Sequence, residues 1–506
     1  MVHEETEPDK FFDASSLCNI GKKIFHTDEN VEKNHRFLKC LFIWQLYCKR
    51  PLCSIQNRKL NLKNCGSVRL AAVDFRLEIV ESIPENVSFG DVQLPRSTFD
   101  AWKSLITEST DEILIAAYKS SLRGIHVFGS QPQSFSEKGD KIYDYLLNNG
   151  LKKKLNIKIV ENFPPKDKGD NADAAGLAEK GVANRQLLNF KKIFGRGTMH
   201  SKFIVSDKKN FYLGSANLDW RSLNQKMELG VLVTSCPCLA TDLANVFNSY
   251  WSIPHETNAD YRRNQPKALF NIEKPLTIQV KGTPTSVYLA TSPPQLNGPE
   301  RTWDLHAITT TIDDAKSFLY IHVMDYFPMH IYTKPKRFWP IIDSAIRRAI
   351  LRGVEVKLLA AALHYPRLGV RFLSSLQSLN GITDNGGISV KIFKVPTAVE
   401  AKTVLRRERR THNKFLVTDN TVIIGTSNWS GDYFEGGSSG AALVIQQNNE
   451  YQTPIVDEMK NIFLRDWHSE YAHDLSKYIE KCITSFDQSF CETPKDPSLF
   501  ASRPTV

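Results

Sequence analysis

Short apolar runs alternate with amphipathic stretches through most of the chain, and the alternation happens twice. In the first pass LEIVESIP (Leu77 to Pro84) reads as a strand and Thr98 to Ser109 as a helix. EILIAAY (Glu112 to Tyr118) is a buried strand, Lys141 to Asn148 a helix and NIKIV (Asn156 to Val160) a strand. Ala174 to Leu188 reads as one helix. GVLVTS (Gly230 to Ser235) is a strand, and Asp242 to Trp251 closes the pass as a helix. The second pass repeats this order, with VYLATSPP (Val287 to Pro294), FLYIHVMDYF (Phe318 to Phe327), helix Trp339 to Leu351 and VEVKLLAA (Val354 to Ala361). Gly369 to Leu379 (helix), SVKIFKV (Ser389 to Val395) and AALVIQ (Ala441 to Gln446) complete it. Strands alternating with helices predict an α/β fold whose mostly parallel sheets carry helices on both faces.

Between the last two strands of each pass lies a more specific repeat. His200 to Asn217 reads HSKFIVSDKKNFYLGSAN, and His412 to Asn428 reads HNKFLVTDNTVIIGTSN. Each carries His-x-Lys, an Asp five residues after the Lys, an apolar run and a Gly-Ser/Thr-x-Asn turn. Both read as strands, and alternation puts His200 with Lys202, and His412 with Lys414, on one face. An imidazole beside an ammonium suits phosphate: the Lys holds a non-bridging oxygen while the His works on phosphorus or on the leaving oxygen. A phosphodiester needs a nucleophile on one side and a proton donor on the other, so two copies make one site. Ser215, Asn217, Ser427 and Asn428 supply candidate neutral donors. Asp207 and Asp419 complete the catalytic motif, although their place at the strand exit also suits anchoring a turn.

This double motif resembles the phospholipase D superfamily. The words GSANLDWRSL, GTSNWSGDYF and MDYFP are similar to the branch with mammalian phospholipase D three and four and the poxvirus envelope phospholipases. The resemblance runs from about Val68 to Trp467. It implies two similar domains related by a pseudo-two-fold axis, with the His strands meeting at the interface. It also implies 5′-exonuclease action on single-stranded DNA or RNA, or phospholipid transphosphatidylation, in a lumenal compartment. A choline-releasing phospholipase D and a membrane-envelope scaffold are the alternatives.

The spacing agrees with duplication: His412 follows His200 by 212 residues, and Trp467 follows Trp251 by 216. We expect an N-terminal extension at 1–67, domains at 68–265 and 266–472, and a tail at 473–506. One feature breaks the symmetry. Glu228 lies eleven residues after Asn217, where the second copy has Ser439. A carboxylate on Nδ1 fixes the tautomer and raises basicity at Nε2. Glu228 is therefore expected to orient His200 as nucleophile, leaving His412 as general acid.

Charge and cysteines refine the picture. The net charge of +10 favours an anionic partner, either single-stranded nucleic acid or acidic phospholipid. The run Arg406, Arg407, Arg409, Arg410 opens into the second motif and is a candidate for steering a polyanion. Phe327 is a candidate stacking residue, though core packing suits it better. No cofactor and no metal is expected, because no cysteine–histidine spacing fits zinc. The nine cysteines cluster outside the motif strands, which suits disulfides and an oxidising compartment, and Asn86-Val87-Ser88 is a glycosylation pattern. No run reaches the ~20 apolar residues of a spanning helix. Phe37 to Cys48 comes nearest, so peripheral membrane contact stays open, as does a homodimer.

Overall fold

The computed structural model describes residues 75–484 except 130–133, 254–264, 334, 362–365, 397–408 and 449–451. The expected extension, the run Phe37 to Cys48, the first five cysteines and Cys491, Arg406, Arg407 and most of the stretch joining the two passes lie outside the described residues. All described residues belong to one unit, Cys65–Val506.

The first sheet is built from β1 (Arg76–Ser82), β2 (Arg96–Ser97), β3 (Glu112–Ala117), β4 (Asn156–Asn162), β5 (Ala183–Leu188), β6 (Phe203–Ser206), β7 (Asn210–Gly214) and β8 (Lys226–Thr234), in the order β2-β1-β8-β7-β6-β3-β4-β5. The second uses β9 (Leu276–Val280), β10 (Thr283–Ser292), β11 (Thr302–Trp303), β12 (Phe318–Val323), β13 (Glu355–Ala361), β14 (Gly387–Phe393), β16 (Lys414–Thr418), β17 (Thr421–Gly425), β18 (Gly440–Gln447) and β19 (Ala472–Asp474), while β15 (Arg410–Thr411) belongs to the first sheet. Its order is β9-β10-β18-β17-β16-β12-β13-β14-β19, with β11 beside β10. From β10 to β14 it matches the first sheet strand for strand. The α/β reading holds, but the sheets are mixed rather than mostly parallel. Tight turns make β6–β7 and β16–β17 antiparallel hairpins, and parallel pairing in the two sheets is confined to the helix-linked strands β3-β4-β5 and β12-β13-β14 and to the two-residue strands β2, β11 and β15.

The helices follow the amphipathic stretches: α1 (Thr98–Glu108), α2 (Glu137–Lys153), α3 (Pro237–Ser252), α4 (Asp304–Asp314), α5 (Ile341–Leu351) and α6 (Pro454–His468). Ser97 caps α1 by accepting the Asp100 N–H at 3.0 Å. The helix expected over 174–188 splits instead. Ala172–Glu179 is helical, Gly181 turns at φ +68°, and the rest becomes edge strand β5. Its polar run NRQ gave no strand signal because an edge strand need not bury alternate residues.

One apolar core runs from Leu77 and Phe203 in the first half to Leu289 and Leu443 in the second. The halves also share backbone. β15 joins the first sheet by pairing with β8, Lys226 opposite Arg410 and Met227 opposite Thr411. The His412 N–H then donates to Met227 O at 2.7 Å, and Ser439 N–H to Thr198 O at 2.9 Å. Arg409, expected to steer substrate, is buried here instead. It donates to Pro396 O and Gln225 Oε1 at 2.6 Å each and to Glu85 O, stapling the second half to the first. Arg410 is half-buried beside Lys226.

Candidate active site

The cross-sheet pairing brings the two motifs together. His200 and His412 are both buried, as are Lys202 and Lys414. His200 and Lys202 lie just before β6 rather than within it. The His200 N–H is drawn out of the ladder by Ser439 Oγ of the other half, at 2.8 Å. Lys202 Nζ donates to His200 O at 2.5 Å and Lys414 Nζ to His412 O at 2.7 Å, so each ammonium is fixed beside its own imidazole.

Glu228 does not reach His200. It accepts from His412 Nδ1 at 2.7 Å, which overturns the expected pairing. The reason is the strand exchange: β8 carries Glu228 along the edge that β15 joins, so the carboxylate meets the histidine of the opposite half. Ser215 Oγ and Ser222 Oγ each donate to Glu228 at 2.6 Å. Burial pushes the Glu228 carboxyl up to about 7, against the pull of Lys414 and Lys226. Burial, then Lys414 and Lys226, hold the His412 imidazole well below its ordinary range.

His200 has a different setting. Its ring lies between Tyr118 and Tyr433, with centroids 4.9 and 4.8 Å away, and its Nδ1 has no partner among the described residues. Burial, then Lys202 and Lys414, depress its pKa strongly. Register also moves the symmetry-related position. Glu228 opposes Ser82 and Gly440 opposes Ser292, so Gly440, not Ser439, is the counterpart of Glu228. The loop before Gly440 is one residue longer, which a count from the Asn misses. A Cβ on Gly440 would lie 2.2 Å from Ser427 Oγ and 2.9 Å from Asp304 Oδ2, so Ser427 and the Asp304 carboxylate, which comes from helix α4, fill that space together.

Other expected roles move too. Asp207 and Asp419, which belong to the motif by spacing, take the anchoring role that their place at the strand exit suits and brace strand entrances. Asp207 accepts the N–H groups of Thr110, Asp111 and Glu112 at 2.9–3.0 Å. Asp419 accepts those of Lys316 and Ser317 at 2.7–3.1 Å. Burial raises both carboxyls, but these backbone donors win and hold them below the ordinary range. Ser215 is committed to Glu228, and Ser427 donates to Asp304 at 3.4 Å, so neither hydroxyl is a free phosphate donor. Asn217 and Asn428 do lie buried beside the motifs, each with a side-chain oxygen lacking a partner among the described residues. Phe327 is fully buried, so it packs rather than stacks.

Sequence reasoning missed Tyr118, Tyr433 and Lys226. Lys226 was legible, because two residues before Glu228 on a strand means the same face. Lys202, Lys414 and Lys226 share the buried space with Glu228, and burial lowers the pKa of both motif lysines. Lys166 on the surface adds positive field at His200. Cations crowded into low dielectric gain most from an anion that neutralises them. From Tyr433 an aromatic path leads outward to Tyr332, 6.4 Å away between centroids and 53% exposed. Phe338, 64% exposed, and the exposed Arg337 share the short ribbon that carries Tyr332.

A family model described as "PLD3/4, PLD-like domain" matches residues 90–398. The 5′-3′ exonuclease PLD3 of Xenopus laevis is 38% identical over 419 residues, covering 81% of this chain and 83% of the relative. PLD3 of Homo sapiens is 37% identical over 403 residues, 78% of this chain and 80% of the relative. The probable phospholipase D F09G2.8 of Caenorhabditis elegans is 34% identical over 419 residues, 80% of this chain and 71% of the relative. With both His-x-Lys pairs converging on one lysine-rich site, the chain belongs to the phospholipase D superfamily, in its PLD3/4 branch.

Proposed function

We propose that the protein is a metal-independent phosphodiesterase that cleaves single-stranded nucleic acid from the 5′ end through a phosphohistidine. The observation that carries the chemistry is the pair of buried histidines, each with its own lysine, of which one alone is held by a carboxylate. Glu228 on His412 Nδ1 leaves the Nε2 lone pair of His412 free to attack phosphorus. His412 is thus the nucleophile and His200 the acid, the reverse of the order expected from counting. The Tyr118 and Tyr433 rings favour the His200 imidazolium. The negative phosphate offsets the depression of both imidazoles.

In the first step a His412 Nε2–P bond forms, the bond from phosphorus to the leaving oxygen breaks, and His200 gives that oxygen its proton. In the second, water attacks phosphorus, passes a proton to His200, and the N–P bond breaks. Lys202, Lys414 and Lys226 hold the non-bridging oxygens, with Asn217 and Asn428 as neutral donors. An alcohol in place of water would give transphosphatidylation.

The nucleic-acid substrate is supported by the exposed Tyr332, the flanking Arg337, and the PLD3 relatives. A lumenal setting is supported by Cys238 and Cys482, each disulfide-bonded, and by Asn86, exposed in a turn. Among the described residues no helix is long and apolar enough to cross a membrane. The test is release of mononucleotides from a 5′-hydroxyl oligonucleotide, run beside a phosphatidylcholine assay, with His412→Ala as control. Choline release without nucleotide release would replace the proposed substrate.

A further inference from the structure

Behind His412 lies a second, fully buried histidine. His322 on β12 sits opposite Phe415 of β16, and its first-half counterpart is Ala116, opposite Phe203. The imidazole is ringed by Phe393, Phe415 and Phe463. Its Nε2 is 2.8 Å from Thr411 Oγ1, and its Nδ1 is 3.3 Å from both Asn413 Nδ2 and Asp466 Oδ2. It therefore touches the residue on each side of His412. Arg465 fixes Asp466 through Oδ1, at 2.7 and 3.0 Å, and is itself held by Glu81 of the first half, at 2.8 Å to each oxygen.

The first half fills the same place with groups that do not ionise in the working range. Tyr250 precedes Trp251 as Asp466 precedes Trp467, and Ser201 follows His200 as Asn413 follows His412. There the brace is made of hydroxyls: Ser201 Oγ lies 2.9 Å from Tyr250 Oη and donates to Ser439 Oγ at 3.1 Å. In the second half Asp466 Oδ2 and Asn413 Oδ1 are buried acceptors with no donor among the described residues. As placed, Asn413 Nδ2 can donate to Nδ1 only while that nitrogen carries no proton. An imidazolium supplies both missing bonds once the Asn413 amide turns over and brings Oδ1 to face Nδ1: Nδ1–H then faces Asp466 Oδ2 and Asn413 Oδ1, while Nε2–H turns to Thr411 Oγ1. We propose that His322 is a positioning residue for His412, and that its imidazolium, paired with Asp466, is the form that grips both neighbours of the nucleophile and ties activity to acidity.

The charged groups facing His322 are Asp466 and Arg465 from α6 and Lys414 from β16. Burial lowers its pKa and Asp466 offsets part of that, so the proton is gained as pH falls below the ordinary histidine range. This inference rests on His412 acting as nucleophile. The test is a nitrophenyl phosphodiester, whose good leaving group removes the need for His200 and so reads the His412 step. We expect His322→Gln to lower kcat about 10-fold near pH 5 and less than about 3-fold near pH 7.5, with KM unchanged. Asp466→Asn should do the same, and the double variant should be no worse than either single one. Should His322→Gln not fold, Thr411→Val must reproduce the acid-selective loss and Thr411→Ser must restore the wild-type profile. A loss equal at every pH, or no loss, overturns the positioning role. Wild-type inactivity on both ester and oligonucleotide would instead sink the phosphodiesterase reading, and this role with it.

Discussion

The two halves build the same strands around the same motif, yet their histidines have opposite surroundings. His412 has a carboxylate on Nδ1 and a buried imidazole behind it. His200 has a tyrosine on each side of its ring, a serine hydroxyl on its backbone and, among the described residues, no partner on Nδ1. The second half keeps a carboxylate in the equivalent space, but Asp304 delivers it from helix α4 and spends it on Ser292 and Ser427. A duplicated scaffold thus gives its two imidazoles different surroundings by changing what touches each, while the strand order stays the same. A symmetric site would give two equal bases or two equal acids, and phosphoryl transfer needs one of each.

The most severe way to break the comparison is to remove either histidine. His200→Ala and His412→Ala should each cut oligonucleotide cleavage by more than about 10³-fold. They should differ on a nitrophenyl ester. His200→Ala should still take up phosphate and accumulate it on His412, seen by acid-quenched peptide mapping, and His412→Ala should not. Label trapped on His200 would restore the opposite assignment. EDTA should leave the wild type active, and strong inhibition reversed by a divalent ion would end the metal-independent reading.

Removing the orienters should separate the halves next. Glu228→Gln should lower kcat by about 10- to 100-fold, as loss of a histidine's carboxylate partner does elsewhere. Ser439→Ala, which removes a hydroxyl that accepts from the His200 and Ser201 N–H groups and touches no imidazole atom, should cost less than about 10-fold, measured in the same assay. Equal losses would mean that the carboxylate does not distinguish the two imidazoles.

Outside the chemical step, Tyr332→Ala should raise KM for an oligonucleotide by about 10-fold, the value of one stacked base, and leave kcat on a nitrophenyl ester alone. An unchanged KM would return Tyr332 to plain surface.

The smallest effect is on stability. Burial pushes the Asp304 carboxyl up to about 7, with no cation among its main influences. A carboxyl raised on folding destabilises the native state once it must ionise. That cost begins as pH rises above the unfolded value near 4 and is complete above about 7. Asp304→Asn should therefore stabilise the protein at pH 8 by about 2–4 kcal/mol, and the gain should shrink toward pH 5. Melting temperatures at the two pH values measure it, and a pH-independent change would contradict the raised carboxyl.

Local pattern determined a good part of this protein. The alternation of strands and helices, the duplication, and the two His-x-Lys pairs were all legible, because residue period and motif spacing are properties of a single stretch of chain. Single residues whose partners lie in the other half were not. Glu228 was chosen correctly as the asymmetric carboxylate and assigned to the wrong histidine, since only the β8–β15 pairing shows which imidazole it meets. Arg409 looked like part of a steering run and is a buried staple, because the carbonyls that take its protons come from residues 85 and 396. Asp207 and Asp419 fit the motif by spacing and turn out to serve backbone N–H groups about a hundred residues earlier. Long-range hydrogen bonds across an interface leave no period in the sequence. The fold decided which histidine meets the carboxylate, through one short strand of the second half that pairs with the first sheet.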